Sequence, residues 1–316
     1  MRTRRVFLEK LPVVAAGAFV ATSWRDVLAD ASSAPHISFP TAPGDRIAVA
    51  SYPFRAYIES PTNRDRDPKL PGMELTEFAG QVARKFNVHN IEPHNRHFRS
   101  LDSEYLAGFR QALRKTNSRV VNIAVDGADS FYDGDASVRQ KAIAYAKKWV
   151  NVAIQIGCPS IRVHVQRAAN SRPNVQRTAE SLREVTEYAA GQDVVVNLEN
   201  DDLVSEDAFF LVKVIDAVNS PFLHGLPDFA NSMMTGDADF NYRALAAMFQ
   251  HAYGVCHVKA GETGDQGKYF GIDMKKSFAI LKSSGYRGYC SMEYDAPGDP
   301  YGPTAKLIGE TIQNLS

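Results

Sequence analysis

From residue 47 onward, short runs of β-branched and apolar residues alternate with longer stretches in which apolar positions recur every three or four residues. The short runs cover 47–51, 88–92, 120–125, 160–165, 194–199, 223–228, 255–259 and 289–294. Their length and composition predict eight strands. The longer stretches cover 73–86, 103–115, 138–156, 175–190, 206–218, 242–250, 274–282 and 304–315, and their spacing predicts eight amphipathic helices. Ser137, Asn174, Ser205 and Asp273 stand where N-caps are wanted, and Gly157, Gly191 and Gly285 where a helix must stop before the next strand.

Eight strand–helix units over residues 46–316 fit a single-domain (β/α)8 TIM barrel in the α/β class. The rival is a doubly wound open sheet, which advertises a glycine-rich phosphate turn after its first strand. Here the first strand runs into Ser51-Tyr52-Pro53-Phe54-Arg55, with no such turn. Residues 32–45 are rich in Ser and Pro and lack periodicity, so they are expected to be a linker.

Residues 1–31 belong to a different pattern. Arg2, Arg4 and Arg5 precede a short apolar stretch, and Ala29-Asp30-Ala31 offers a small-x-small cleavage site. The run Thr3-Arg4-Arg5-Val6-Phe7-Leu8-Glu9-Lys10 resembles a twin-arginine signal, which implies a periplasmic or secreted protein exported after folding. The alternatives are an amphipathic N-terminal helix or a membrane anchor, but the apolar run is too short to span a bilayer, so no membrane span is expected after cleavage.

Composition changes the picture only by exclusion. Lys+Arg and Asp+Glu balance at 36 each, which offers nothing to a polyanion and argues against a nucleic-acid partner. Three cysteines are too few for a disulfide framework. Cys256 and Cys290 have the opposite parity to the residues assigned to the barrel interior, so they are expected as buried free thiols under the helices. The oligomeric state is not fixed, and a homo-oligomer stays open.

The chemistry lies at the C-terminal strand ends, where a barrel builds its active site. Strands 5 to 8 end in Glu199, Asp228, His257 and Glu293. Three carboxylates in apolar strands repel one another unless a cation sits between them. Oxygen-dominated ligation with one imidazole suits a divalent metal, Mn²⁺ first, with Mg²⁺, Co²⁺ or Zn²⁺ as alternatives. Singly, each residue has a plainer role: Glu199 as a partner of Arg162, Asp228 as a loop cap, His257 as a core imidazole. Lys259 shares the inward parity of His257, and either neutralises an oxyanion or pairs with Glu293. Arg162 and His164 on strand 4, Glu92 and His94 after strand 2, Tyr52 after strand 1 and Asn231 after strand 6 are the candidate substrate contacts. The long loop from Tyr52 to Gly72 is a candidate lid, with Tyr52, Phe54 and Tyr57 as aromatic residues that could stack on a ligand.

The segments Asn197-Leu198-Glu199-Asn200, Gly225-Leu226-Pro227-Asp228-Phe229, His257-Val258-Lys259 and Ser291-Met292-Glu293-Tyr294 resemble the xylose isomerase-like barrel superfamily. That group holds sugar isomerases, ketose 3-epimerases, inosose dehydratases and endonuclease IV-type proteins. The resemblance implies that Glu199, Asp228, His257 and Glu293 are metal ligands, and that Glu199 and Glu293 are also the proton-transfer pair, with Lys259 beside them. It implies a small carbohydrate substrate, and an isomerase or epimerase that removes a proton next to a carbonyl. The epimerases usually carry a His three residues after the strand 6 Asp, where this chain has Asn231. That departure opens a second reading, a lyase eliminating from 3-oxo-glycosides at the same site. A third is a sugar-binding barrel without catalysis, against which the intact Glu pair argues. An endonuclease IV-type activity requires extra histidines and a basic face. Folding before export lets an oxygen-rich site load its ion in the cytoplasm, away from competition by Cu and Zn. Protein purified from the periplasm is therefore expected to carry stoichiometric divalent metal in elemental analysis, and metal-free protein would contradict this.

Overall fold

The computed structural model describes residues 34–264 and 267–316. The twin-arginine segment lies outside the described residues. Among the described residues, eight parallel strands and eight long helices alternate from Ile47 onward, as the periodicity predicts. The strands are β1 (Ile47–Ala50), β2 (Asn90–Glu92), β3 (Arg119–Val120 with Ile123–Val125), β4 (Ser160–Val163), β5 (Val195–Glu199), β6 (Leu223–Leu226), β7 (Val255–Val258) and β8 (Tyr289–Met292). The helices are α1 (Leu75–Phe86), α2 (Ser103–Lys115), α3 (Ala136–Ile156), α4 (Val175–Ala190), α5 (Ala208–Val218), α6 (Ala238–Phe249), α7 (Met274–Ser283) and α8 (Tyr301–Leu315).

Sequential strands pair in parallel and β8 returns to β1, with Ile47 opposite Cys290, so the sheet closes on itself. Two joints are irregular. β3 is interrupted at Val121 and Asn122, whose side chains both serve the barrel interior, as a bulge requires. β6 meets β7 through only two bridges, Gly225 with Ala252 and Asp228 with His257. The second of these holds the two strand ends together at the site, where the His257 amide donates to the Pro227 carbonyl at 2.9 Å.

Parity along each strand sorts side chains into two cores. Val196, Leu198, Cys256, Val258, Cys290 and Met292 face outward and pack under the helices. Ala48, Val121, Leu226, Val255 and Tyr289 face inward and plug the N-terminal end of the barrel. Cys256 and Cys290 are buried free thiols, their sulfurs 3.7 Å apart. Above the inner plug the interior turns polar. Asn122 Oδ1 accepts from Ser160 Oγ at 2.7 Å and from Asn197 Nδ2 at 3.2 Å, which gives these buried groups partners.

Most boundaries fall where the sequence places them. Asn174 and Asp273 cap α4 and α7 through their side chains. The caps expected at Ser137 and Ser205 are instead Asp135 and Asp207, charged acceptors at the positive helix end. Gly157 and Gly285 adopt the left-handed conformation expected of a helix stop, whereas after α4 that role falls to Asp193 (φ 55°). The segment read as a linker is fastened to the barrel. Phe39 packs edge-on to Tyr253 and Tyr289, and Tyr253 Oη donates to the Pro35 carbonyl. One unit escaped the periodicity, a short hairpin of Gly261–Thr263 and Tyr269–Gly271 after β7. Among the described residues no helix is long and apolar enough to cross a membrane.

Gly288, just ahead of β8, lies where no side chain fits. A Cβ there would run into the Gly254 carbonyl oxygen and the Tyr286 hydroxyl, and would sit 2.6 Å from the Tyr253 carbonyl oxygen. Gly288→Ala is expected to cost about 1–3 kcal/mol of stability, read as a lower urea midpoint with an unchanged slope.

Candidate functional site

The C-terminal strand ends converge on His257. Its imidazole is fully buried, and parity points it into the barrel from the middle of β7. Nδ1 lies 2.7 Å from Glu199 Oε1, at the end of β5, and 3.2 Å from Glu293 Oε2, one residue past β8. Nε2 lies 3.1 Å from both carboxylate oxygens of Glu92, at the end of β2. Asp228 enters from the β6 end. Its Oδ1 accepts from the backbone amides of Ala230 (2.8 Å) and Asn231 (2.6 Å), and Asn200 Oδ1 accepts from the Asp228 amide (2.8 Å). Its Oδ2 is buried and has no hydrogen-bond donor; the Lys259 ammonium stands 3.8 Å away.

One donor atom each from Glu199, Asp228, His257 and Glu293 lies within 4.8 Å of the other three. Such crowding of buried carboxylates demands positive charge. Burial first, then Glu199 and Glu293, push the Asp228 carboxyl up to about 8 against the pull of Lys259. Burial disfavours the charged form of His257 too, yet Glu199, Glu293 and Glu92 lift its pKa well above the usual range. Left to itself, the cluster holds protons on both groups. A divalent cation supplies equivalent charge, and Asp228 Oδ2, which no hydrogen-bond donor reaches, is a ready acceptor for it. The four residues therefore make a donor set fitted to a divalent ion, three carboxylates with one imidazole. Glu92 completes it from behind, as a carboxylate on the far nitrogen that sets the tautomer of a ligating imidazole.

A cavity of about 240 Å³ opens above this cluster. Of the sequence-derived candidates, Tyr52, His94, Arg162, Asn231 and Lys259 line it, together with Glu199 and Glu293. Arg162 Nε lies 3.0 Å from Glu199 Oε2, and its Nη1 lies 2.8 Å from Asp126 Oδ1. His94 Nε2 contacts the other Asp126 oxygen at 3.1 Å. Lys259 Nζ donates to Asn231 Oδ1 (2.7 Å) and lies 3.3 Å from both Glu293 and Glu262. Both suggested roles of Lys259 thus share one geometry, since it pairs with Glu293 while facing the cavity.

Two expected substrate contacts lie elsewhere. Glu92 is buried beneath His257 and tied to Asn122 Nδ2 at 2.6 Å, away from the cavity wall. His164 turns aside to Glu206 and Asp201. Of the loop aromatics only Tyr52 reaches the cavity; Phe54 is buried against Phe78, and Tyr57 packs on Tyr301. The sequence reading missed Asp126, Asp201, Glu262 and Asp295 in the wall. Asp126 directly follows β3 and carried the same strand-end signal as the others. Glu262 carried none, because it rides on the unpredicted hairpin.

Glu92→Gln keeps the shape but removes the charge behind His257. It is expected to weaken divalent-metal affinity about 10- to 100-fold in calorimetric titration, with the circular dichroism spectrum unchanged.

Solved structures resemble this one in fold at low identity. D-allulose 3-epimerase from Methylomonas sp. superposes with a TM-score of 0.61 at 17% identity, covering 88% of this chain and 98% of that one. A xylose isomerase-like TIM barrel protein from Mycobacterium smegmatis in complex with magnesium gives 0.63 at 16% identity, with 88% and 97% covered. 3-Keto-D-glucoside 4-epimerase from E. coli, in its apo form, gives 0.62 at 14% identity, with 84% and 98% covered. No curated protein matches the chain by sequence. The sequence model described as xylose isomerase-like TIM barrel matches residues 81–316, and the chain belongs to that family.

Proposed function

We propose that this protein is a divalent-metal-dependent isomerase or epimerase of a sugar or keto-sugar. The observation that carries the reading is the placement of Glu199 and Glu293 either side of His257 Nδ1, both at the floor of a polar cavity. Two structurally similar proteins are named as sugar 3- or 4-epimerases, which fits this chemistry. We propose Mn²⁺ as the ion, because carboxylate oxygens dominate the donor set. The ion supplies Lewis acidity that polarises a carbonyl and offsets the negative charge developing beside it.

The chain's own groups do the proton work. Burial opposes ionisation of Glu293, but His257 and Lys259 outweigh it and hold its carboxyl well below the usual range, so it is a carboxylate at neutral pH. One Glu takes the proton next to the carbonyl and the other returns it to the opposite face or the adjacent carbon. Arg162 fixes the Glu199 carboxylate from the side while Asp126 holds Arg162 in turn. Lys259, anchored by Asn231, presents an ammonium at the cavity wall where an oxyanion would form. Tyr52 and His94, with ring centroids 5.8 Å apart, make an aromatic wall for a sugar face.

A second reading, β-elimination from a 3-oxo-glycoside, is favoured by Glu262. Burial raises its pKa against the pull of Lys259, which favours it as the acid that hands a proton to a departing oxygen. The export expected from Arg4 and Arg5 would place either reaction in the periplasm.

Incubation with ketoses and 3-oxo-glycosides in deuterated water separates the readings. Deuterium beside the carbonyl with an isomerised or epimerised product supports the first, and release of the aglycone supports the second. Tight binding without exchange into any substrate would overturn both and leave a binding protein. Glu199→Gln and Glu293→Gln are each expected to lower kcat by about 10²- to 10⁴-fold.

A further inference from the structure

We propose that His164, Asp201 and Glu206 form a second divalent-cation site beside the first. His164 directly follows β4, Asp201 lies two residues past β5, and Glu206 stands just ahead of the α5 cap. Asp202 holds the intervening loop in shape. Its Oδ1 accepts from the amides of Ser205 (2.6 Å) and Glu206 (3.1 Å), and Ser205 Oγ donates to its Oδ2 at 2.7 Å. Glu206 is therefore delivered in a fixed position.

One donor atom from each of the three residues lies within 4.8 Å of the others. His164 Nδ1 is 2.7 Å from Glu206 Oε2 and 3.5 Å from Asp201 Oδ2. Adjacent ligands on an ion at about 2.1 Å stand roughly 3.0–3.4 Å apart, and these separations bracket that value.

The independent observation is the state of Glu206. Its side chain is fully buried, and Oε1 accepts from the Val165 amide at 2.6 Å. Oε2 approaches His164 Nδ1 closely, yet neither atom makes a hydrogen bond of sound geometry. They stand 2.7 Å apart as an ion pair whose angles fall short of a hydrogen bond, a juxtaposition that two ligands of one cation also show. A buried carboxylate oxygen without a well-aligned donor keeps much of its desolvation cost, and a cation offsets it.

Access and chemistry agree. Asp201 lines the cavity, which gives an ion a path in. One imidazole and two carboxylates leave a coordination position open, the form taken by zinc sites with three protein ligands. Asn231 stands between the two centres, its Nδ2 3.3 Å from Glu199 Oε1 and 3.5 Å from Asp201 Oδ1. The rival occupant is a proton on His164, which would turn the cluster into an ion triad.

The test uses the full chain stripped by a chelator and titrated with Zn²⁺, with bound metal counted by elemental analysis after gel filtration. Wild type is expected to bind two equivalents. Asp201→Asn and His164→Ala are each expected to retain one and to weaken the other about tenfold or more, since even changes behind a ligand cost that much. Asp228→Asn is expected to retain the outer equivalent. Near-ultraviolet circular dichroism checks that each variant is folded, and the partly exposed Asp201 provides the milder change. A single equivalent in wild type, or two undiminished equivalents in both outer-site variants, would overturn the proposal. Because metal is counted directly, the result is independent of which reaction the enzyme performs.

Discussion

The structure turns on the burial of like charges. Glu199, Asp228 and Glu293 meet at His257, all four side chains buried beneath the cavity. Taking a carboxylate out of water costs several kcal/mol even after relaxation, and three together cost more than isolated pairs can return. Every nearby feature offsets that cost. Backbone amides hold one Asp228 oxygen, Arg162 flanks Glu199, Lys259 flanks Glu293, and Glu92 braces the far side of His257. What they leave is space and charge for a divalent cation.

The barrel makes this arrangement affordable by separating layers. Its lower interior is sealed by Val121, Leu226, Val255 and Tyr289, with Phe39 packed against the plug. That seal carries the packing energy and requires nothing polar. The middle layer, Asn122 with Ser160 and Asn197, passes hydrogen bonds from β3 to β5 and upward to Glu92. Only the top layer holds charge, and it is reached from one end. Strand parity imposes this order, because a residue two places further along faces inward again.

The cavity wall has its own logic. Acids dominate it, but most are committed: Asp126 to Arg162 and His94, Asp295 to Arg55, and Glu262 to Lys259. A neutral polyol can exchange hydrogen bonds with such a surface at many angles. The hairpin that carries Glu262 brings an acid over the site from outside the barrel, so the ring of strand ends does not define the chemistry alone.

The sequence by itself determined the strand count, the helix count and the four residues of the candidate metal cluster. Each follows from local periodicity: period two places Glu199 and His257 inward, and a barrel brings strand ends together whatever the loops do. It also gave the parity that hides Cys256 and Cys290. Tertiary structure alone decided what each inward residue meets. Glu92 ends its strand as Glu199 does, yet it stands behind His257 instead of in the cavity, because it meets the imidazole at Nε2 while Glu199 and Glu293 meet it at Nδ1. His164 alternates with Arg162, yet a loop contact with Glu206 draws it away from the cavity. The hairpin after β7 has strands of three residues, too short to leave a periodic trace. Sequence records the direction in which a side chain leaves its own strand; the partner it finds depends on the curvature of the closed sheet and on loops, neither of which is a local property of the chain.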